Sequence, residues 1–230
     1  SKDLQSKLDN KTKPIGALGH LENLALRIGL ILGNKNPELI KPQMLVCAAD
    51  HGLTAEGVSA YPSDVTWQMV ENFLAGGAAV SVLSKQNNIS LNVVDCGVRH
   101  DFPPREGLII QKVSKGTANS LYEPAMSNDE CQQAINNGMN ITHSLEGNAL
   151  LIGEMGIGNS SAAAMLLARL TNNDIASCAG SGTGMIGSAL KKKISVLEKV
   201  LEKHKQATEP LEALAAFGGL EIATLAGAVI

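Results

Sequence analysis

Short, nearly unbroken apolar runs alternate along the chain with stretches whose apolar residues recur every three or four positions. The runs at 44–50 (MLVCAAD), 91–98 (LNVVDCGV) and 149–155 (ALLIGEM) carry Gly or Asp at or near their ends, the pattern of parallel strands buried on both faces. Residues 175–179, just before Gly180, are a weaker fourth candidate, and 108–113 could form a short strand inside the irregular, Pro-containing excursion 99–127. Helical periodicity fills the intervals. Leu21, Leu24, Ile28 and Ile31 share one face of a helix over 20–32. Residues 64–85 read as one helix with a kink or close contact invited by Gly76-Gly77. Ser127 with Glu130 is a capping box opening a helix over 128–146. A small-residue helix is expected over 161–170, and Leu190, Ile194, Leu197 and Leu201 define a strongly amphipathic one. Strand–helix alternation of this kind implies an α/β fold, a mostly parallel sheet with helices on both faces in a Rossmann-like manner. The order of the strands does not follow from the pattern.

Composition narrows the function classes. The 230 residues are 44% hydrophobic and 18% charged, enough apolar material for a large core. A net charge of -3 and an aromatic content of 3% argue against a nucleic-acid protein held by phosphate contacts or base stacking. No apolar stretch approaches the ~18 residues of a membrane span, and the polar N-terminus lacks a signal-peptide core. Cys47, Cys96, Cys131 and Cys178 form no CxxC pair, so they read as buried thiols in a reducing, cytoplasmic setting. The chain opens on Ser1 and stops inside the uncharged run 222–230, so a further element is expected to follow.

Two glycine-rich turns are the candidate chemistry. In 153–161 (GEMGIGNSS), Gly156 and Gly158 permit close backbone approach, and a helix starting near Ser160 offers unpaired N–H groups and a favourable dipole to an anion. Ser160 and Ser161 add hydroxyls. The spacing is neither GxGxxG nor a P-loop, so it does not support a Rossmann dinucleotide or NTP reading. In 179–184 (AGSGTG), three glycines with Ser181 and Thr183 suggest a backbone nest. One of Lys191–Lys193 could reach back as a counter-charge, although three lysines in a row more often form a solvated face. Both turns, placed at strand C-terminal ends, would converge on one crevice and hold a phosphorylated ligand. Glycine turns serving only chain reversal are the bland alternative.

Other residues carry weaker signals. Asp50-His51 could serve acid–base chemistry, but adjacent residues in extended chain diverge, which disfavours a shared metal; a hydrogen-bonded turn is the simpler reading. Tyr61 and Trp67 could wall an aromatic pocket or merely pack, and Gln68 could reach a ligand. Glu154 is the most pointed residue, a carboxylate between strand and glycine turn that is costly to bury without a partner. Glu56, Glu71 and Glu221 are weaker candidates, and His20, His100, His143 and His204 read as surface or loop residues.

The blocks AADHGLTAEGVSAYPSDVTWQMVENFLAGGAAVSVL (48–83), VVDCGV (93–98), KGTAN (115–119), PAMS (124–127), LIGEMGIGNSSAAA (151–164), CAGSGTG (178–184) and FGGLEIATLAGA (217–228) together resemble the nicotinate-nucleotide–dimethylbenzimidazole phosphoribosyltransferase family. KTKPIGALGHLE (11–22) resembles its opening. The resemblance implies transfer of the phosphoribosyl group of nicotinate mononucleotide to 5,6-dimethylbenzimidazole, giving α-ribazole 5′-phosphate and nicotinate in assembly of the cobalamin lower ligand. It implies a homodimer, no metal and no cofactor. It also implies a small helical subdomain built from the chain ends, here residues 1–40, beside a phosphoribosyl-binding core over 41–230. By position it puts Gly156, Gly158, Asn159, Ser160, Gly182, Thr183 and Lys193 in the nucleotide region. Ser59, Tyr61, Pro62 and Gln68 fall in the benzimidazole pocket, and Glu154 matches the motif glutamate, whose role as an electrostatic helper is our own expectation. The chain departs from the family in two places. Ser181 stands where many members carry Arg, and the region that carries the family's general base lies beyond Ile230. A catalytically silent nucleotide- or benzimidazole-binding protein is therefore the competing reading.

Overall fold

A computed structural model describes all 230 residues, which fall into two compact units, Ser1–Ile40 and Lys41–Ile230. The first unit holds α1 (Lys2–Asp9), capped by the Ser1 hydroxyl, and α2 (His20–Ile31). Gly29 of α2 lies against Leu4 of α1 so closely that a Cβ there would sit 2.7 Å from a leucine methyl.

The second unit is built on four parallel strands: β1 (Gln43–Ala49), β2 (Ser90–Gly97), β3 (Leu108–Ile110) and β4 (Leu150–Met155), in the order β3-β2-β1-β4. Side-chain alternation along the central strands divides the core. Leu45, Cys47 and Ala49 of β1 join Val94 and Cys96 of β2 under α5 (Asn128–Ser144) and α10 (Leu220–Val229). Val46, Ala48 and Val93 face α3 (Val65–Leu74) and α4 (Ala79–Gln86) on the other side. A third cluster unites α6 (Asn159–Thr171), α7 (Ile175–Cys178), α8 (Gly187–Lys203) and α9 (Pro210–Phe217) around Met165, Leu197 and Phe217. The α/β sheet covered on both faces is thus as the pattern implied.

Several local expectations need correction. Residues 64–85 are two helices, because Gly76 adopts φ +80 and ends α3 while Ala78, extended, opens α4. Residues 175–179 are no strand: Asp174 begins a helical turn, with its carbonyl accepting from the Ser177 and Cys178 amides. The strand at 108–113 is shorter, although Gln111 and Val113 continue backbone pairing to β2. The last helices, α9 and α10, belong to the core of the second unit. The apolar α10 crosses α5 in backbone contact, with Gly227 against the Ile135 carbonyl and Gly138 against that of Thr224. No helix is long and apolar enough to cross a membrane.

Candidate functional site

Three chain segments meet at the C-terminal edge of β1 and β4. The first is the loop after β1. Asp50 receives the Ser63 hydroxyl at 2.5 Å and the Arg99 amide at 2.8 Å, while His51 turns away to Glu221, its Nε2 lying 2.8 Å from Oε1. The Asp-His pair is therefore split between two tasks, with Asp50 tying loops together. The second segment is the turn after β4. Its geometry needs glycine: a Cβ on Gly156 would lie 2.5 Å from the Ala49 carbonyl, and Gly158, at φ +101, abuts Thr54 and His51. The buried Thr66 hydroxyl at the start of α3 accepts the Ile157 amide at 3.1 Å and fixes the turn. The amides of Gly158 and Ser160 make no bond within the chain, so they remain free at the N-terminus of α6.

The third segment is the 180–184 turn. It follows the short helix α7 instead of a strand, which corrects the sequence reading, yet it still arrives beside the first turn. Lys193 makes the junction. It is completely buried, and its Nζ donates to Ser160 Oγ at 3.1 Å and to the Gly180 carbonyl at 3.3 Å. No carboxylate lies within ion-pair distance of it. Burial pushes its ammonium below the usual lysine range. At Gly182, φ +55, a Cβ would meet Ser160 Oγ at 2.7 Å and Lys193 Nζ at 3.0 Å. The Gly182 and Thr183 amides are unbonded.

Thr183 also links to the candidate base-pocket segment. Its hydroxyl lies 3.0 Å from Ser59 Oγ and accepts the Ala60 amide at 3.0 Å. Ser59 is thus brought to Thr183 in the second glycine turn. Tyr61, Pro62 and Gln68 are exposed, and nothing in the chain gathers them into a closed pocket. Trp67 packs instead on His100, ring centroids 4.8 Å apart.

Glu154 keeps solvent access on the edge strand β4, yet surrounding protein raises its carboxyl above the ordinary range; the Glu221 charge adds to this and His51 opposes it. Among the weaker glutamates, Glu71 pairs with Arg105 and Glu56 accepts from Asn119 Nδ2 at 2.7 Å, both structural contacts. Glu221 differs. It is fully buried, and its Oε1 also receives Asn159 Nδ2 at 2.6 Å. Burial alone would depress the His51 pKa, but the charge and hydrogen bond of Glu221, with smaller contributions from Glu154 and Asp50, raise it overall. Sequence alone underrates Glu221. Its one signal is a single acid after Gly-Gly in the otherwise uncharged run 217–230. His204, read as a surface residue, is half-buried and bonds the Ser120 carbonyl at 2.8 Å.

The arrangement offers free backbone amides, two hydroxyls and one unneutralised cation around a single point, the equipment of a phosphate site. Comparison with known proteins identifies the family. The family profile described as "Phosphoribosyltransferase" matches residues 1–230. The chain is 66% identical over 227 residues to a protein of Variovorax paradoxus (strain S110) named nicotinate-nucleotide--dimethylbenzimidazole phosphoribosyltransferase, covering 99% of this chain and 65% of that protein. A Janthinobacterium protein of the same name is 48% identical, with 100% and 68% covered. The crystal structure of CobT from Thermus thermophilus superposes with a TM-score of 0.92 at 39% identity, covering 99% of this chain and 69% of that one. The chain thus spans about two thirds of the length of the relatives it matches.

Proposed function

Because the chain belongs to the nicotinate-nucleotide–dimethylbenzimidazole phosphoribosyltransferase family, we propose that its glycine turns hold the 5′-phosphate of nicotinate mononucleotide for phosphoribosyl transfer to 5,6-dimethylbenzimidazole. The observation that carries this reading is Lys193, a buried ammonium without a carboxylate, standing where both turns meet. A buried charge without a counterion is costly. A phosphate dianion at that point would neutralise it and take up the free amides of Gly158, Ser160, Gly182 and Thr183.

The chemistry follows from the anchor. With the phosphate fixed, the anomeric carbon C1′ is held for an in-line exchange. The bond from C1′ to the pyridine nitrogen breaks, and its electron pair stays on nicotinate. The benzimidazole nitrogen lone pair makes the new bond to C1′, and the proton on the other ring nitrogen passes to a carboxylate base. We assign that base to the part of the family pattern that follows Ile230. Positive charge on the ribose is greatest midway, and we assign Glu154, near the end of β4 beside the first turn, to oppose it. Ser59, through Thr183, connects the segment 59–62 to the nucleotide residues and makes that segment our choice for the base pocket. On the same resemblance, and on four cysteines all free, we place the protein in the cytoplasm as a homodimer.

The test is incubation of the full-length protein with nicotinate mononucleotide and 5,6-dimethylbenzimidazole, with chromatography for the α-ribotide. Product formation supports the transferase. Tight nucleotide binding without product supports the silent binder. Absence of both removes the reading.

A further inference from the structure

We propose that Glu221 is a positioning residue that sets the direction of the Asn159 amide, so that Asn159 Oδ1 accepts a hydroxyl of the bound ribose. The proposal rests on the phosphoribosyl reading of the two glycine turns.

Asn159 does not need its side chain to hold the turn. Its backbone amide already closes the turn onto the Gly156 carbonyl at 2.9 Å, so the side chain is not required for the turn itself. That side chain gives Nδ2 to Glu221 Oε1, and its Oδ1 receives nothing from the chain. An ionised carboxylate only accepts hydrogen bonds. With Glu221 Oε1 accepting from Nδ2, the NH2 of Asn159 faces Glu221 and its carbonyl oxygen faces away from it. The same Oε1 is held by His51 from the loop after β1, and both partners are buried, so the carboxylate cannot swing. Gly219 allows the chain to pass this close: a Cβ there would lie 2.5 Å from both Glu221 Oε2 and the His51 ring.

Stability does not account for the trio. Glu221 Oε2 is buried without a hydrogen-bond partner, and an apolar pair would fill such a space without desolvating charge. Orientation does account for it. Asn159 is the immediate neighbour of Ser160, whose hydroxyl contacts Lys193 at the phosphate point, so Asn159 stands one residue from that point in the first turn of α6. An outward carbonyl repels phosphate oxygens and accepts from hydroxyls. The device thus sorts the two ends of a ribose phosphate, with cations and N–H groups for the phosphate and an acceptor for the sugar.

The experiment measures, by calorimetry on the full-length protein, binding of ribose 5-phosphate, 2-deoxyribose 5-phosphate and 3-deoxyribose 5-phosphate to wild type, Asn159→Ala and Glu221→Gln. In Glu221→Gln the new amide can donate to Asn159 and turn it over. Wild type is expected to prefer ribose 5-phosphate to one deoxy analogue by about tenfold, the value of one hydrogen bond in a shielded site. Both variants should reduce that ratio below about twofold. General loosening of the fold would weaken all three ligands alike and leave the ratio unchanged. Asn159→Ala keeps the His51–Glu221 pair, so it decides the matter if Glu221→Gln folds poorly. A ratio retained in Asn159→Ala or in folded Glu221→Gln, or no preference in wild type, overturns the proposal while leaving the phosphate site standing. Failure of wild type to bind any of the three overturns both.

Discussion

Replacing Lys193 by Met separates the cost of a buried charge from its use. The Met side chain keeps most of the apolar stem that packs in α8 and removes the ammonium. Two hydrogen bonds are lost, to Ser160 Oγ at 3.1 Å and to the Gly180 carbonyl at 3.3 Å. Both are long, and together they are worth about 1–2 kcal/mol. Against this, the empty protein no longer buries an ammonium that has no carboxylate, and apolar replacement of buried charge is often neutral or stabilising by about 1–4 kcal/mol. The two terms nearly cancel or favour the variant, so unfolding stability should hold within about 1 kcal/mol or rise. Ligand affinity should move the other way. A charge-assisted bond to phosphate contributes about 1.5–3 kcal/mol, which corresponds to a roughly 10–150-fold weaker Kd. Urea denaturation and calorimetric titration with ribose 5-phosphate on the same preparation read both quantities. A variant that loses more than about 2 kcal/mol of stability and binds like wild type would show Lys193 to be a satisfied core lysine, and the phosphate argument would fail.

Three further outcomes are expected. Glu154→Gln should lower turnover of the full-length enzyme while leaving nicotinate mononucleotide binding near wild type, and equal turnover in steady-state kinetics would remove Glu154 from the mechanism. The raised pKa of His51 means that the folded protein holds the imidazole proton more tightly than the unfolded chain does. The contribution of the His51–Glu221 pair is therefore complete below an unfolded pKa of about 6.5 and declines as pH rises through the higher folded value. Denaturation across this range should show the decline in wild type and a flatter profile in His51→Asn; parallel profiles would refute the assignment. Gly156→Ala should cost about 1–3 kcal/mol because its Cβ would meet the Ala49 carbonyl at 2.5 Å, whereas Gly180→Ala, with nothing within 4 Å, should be near neutral in thermal melts.

Much of this organisation was legible in the chain because it is written locally. The apolar runs at 44–50, 91–98 and 149–155 are strands since nothing polar interrupts them for long, and a sheet covered on both sides demands that pattern. Ser127 and Glu130 announce their helix because a capping box acts across three residues. The glycines of 153–158 are visible for the same reason. Where local signals compete, the reading failed: 175–179 is apolar enough for a strand, but Asp174 opens a helical turn whose Ile175 is buried with α6 and α8.

Sequence by itself therefore determined the strand–helix alternation, the first glycine turn and the family, since each depends on residues close together or on ordered motifs. Tertiary structure alone decided the strand order β3-β2-β1-β4, the burial of Lys193 out of a run of three lysines, and the meeting of His51, Asn159 and Glu221. The physical reason is distance along the chain. His51 and Glu221 are 170 residues apart and Ser160 and Lys193 are 33 apart, and only the packing of α6, α8 and α10 at one edge of the sheet brings their polar atoms within hydrogen-bonding reach.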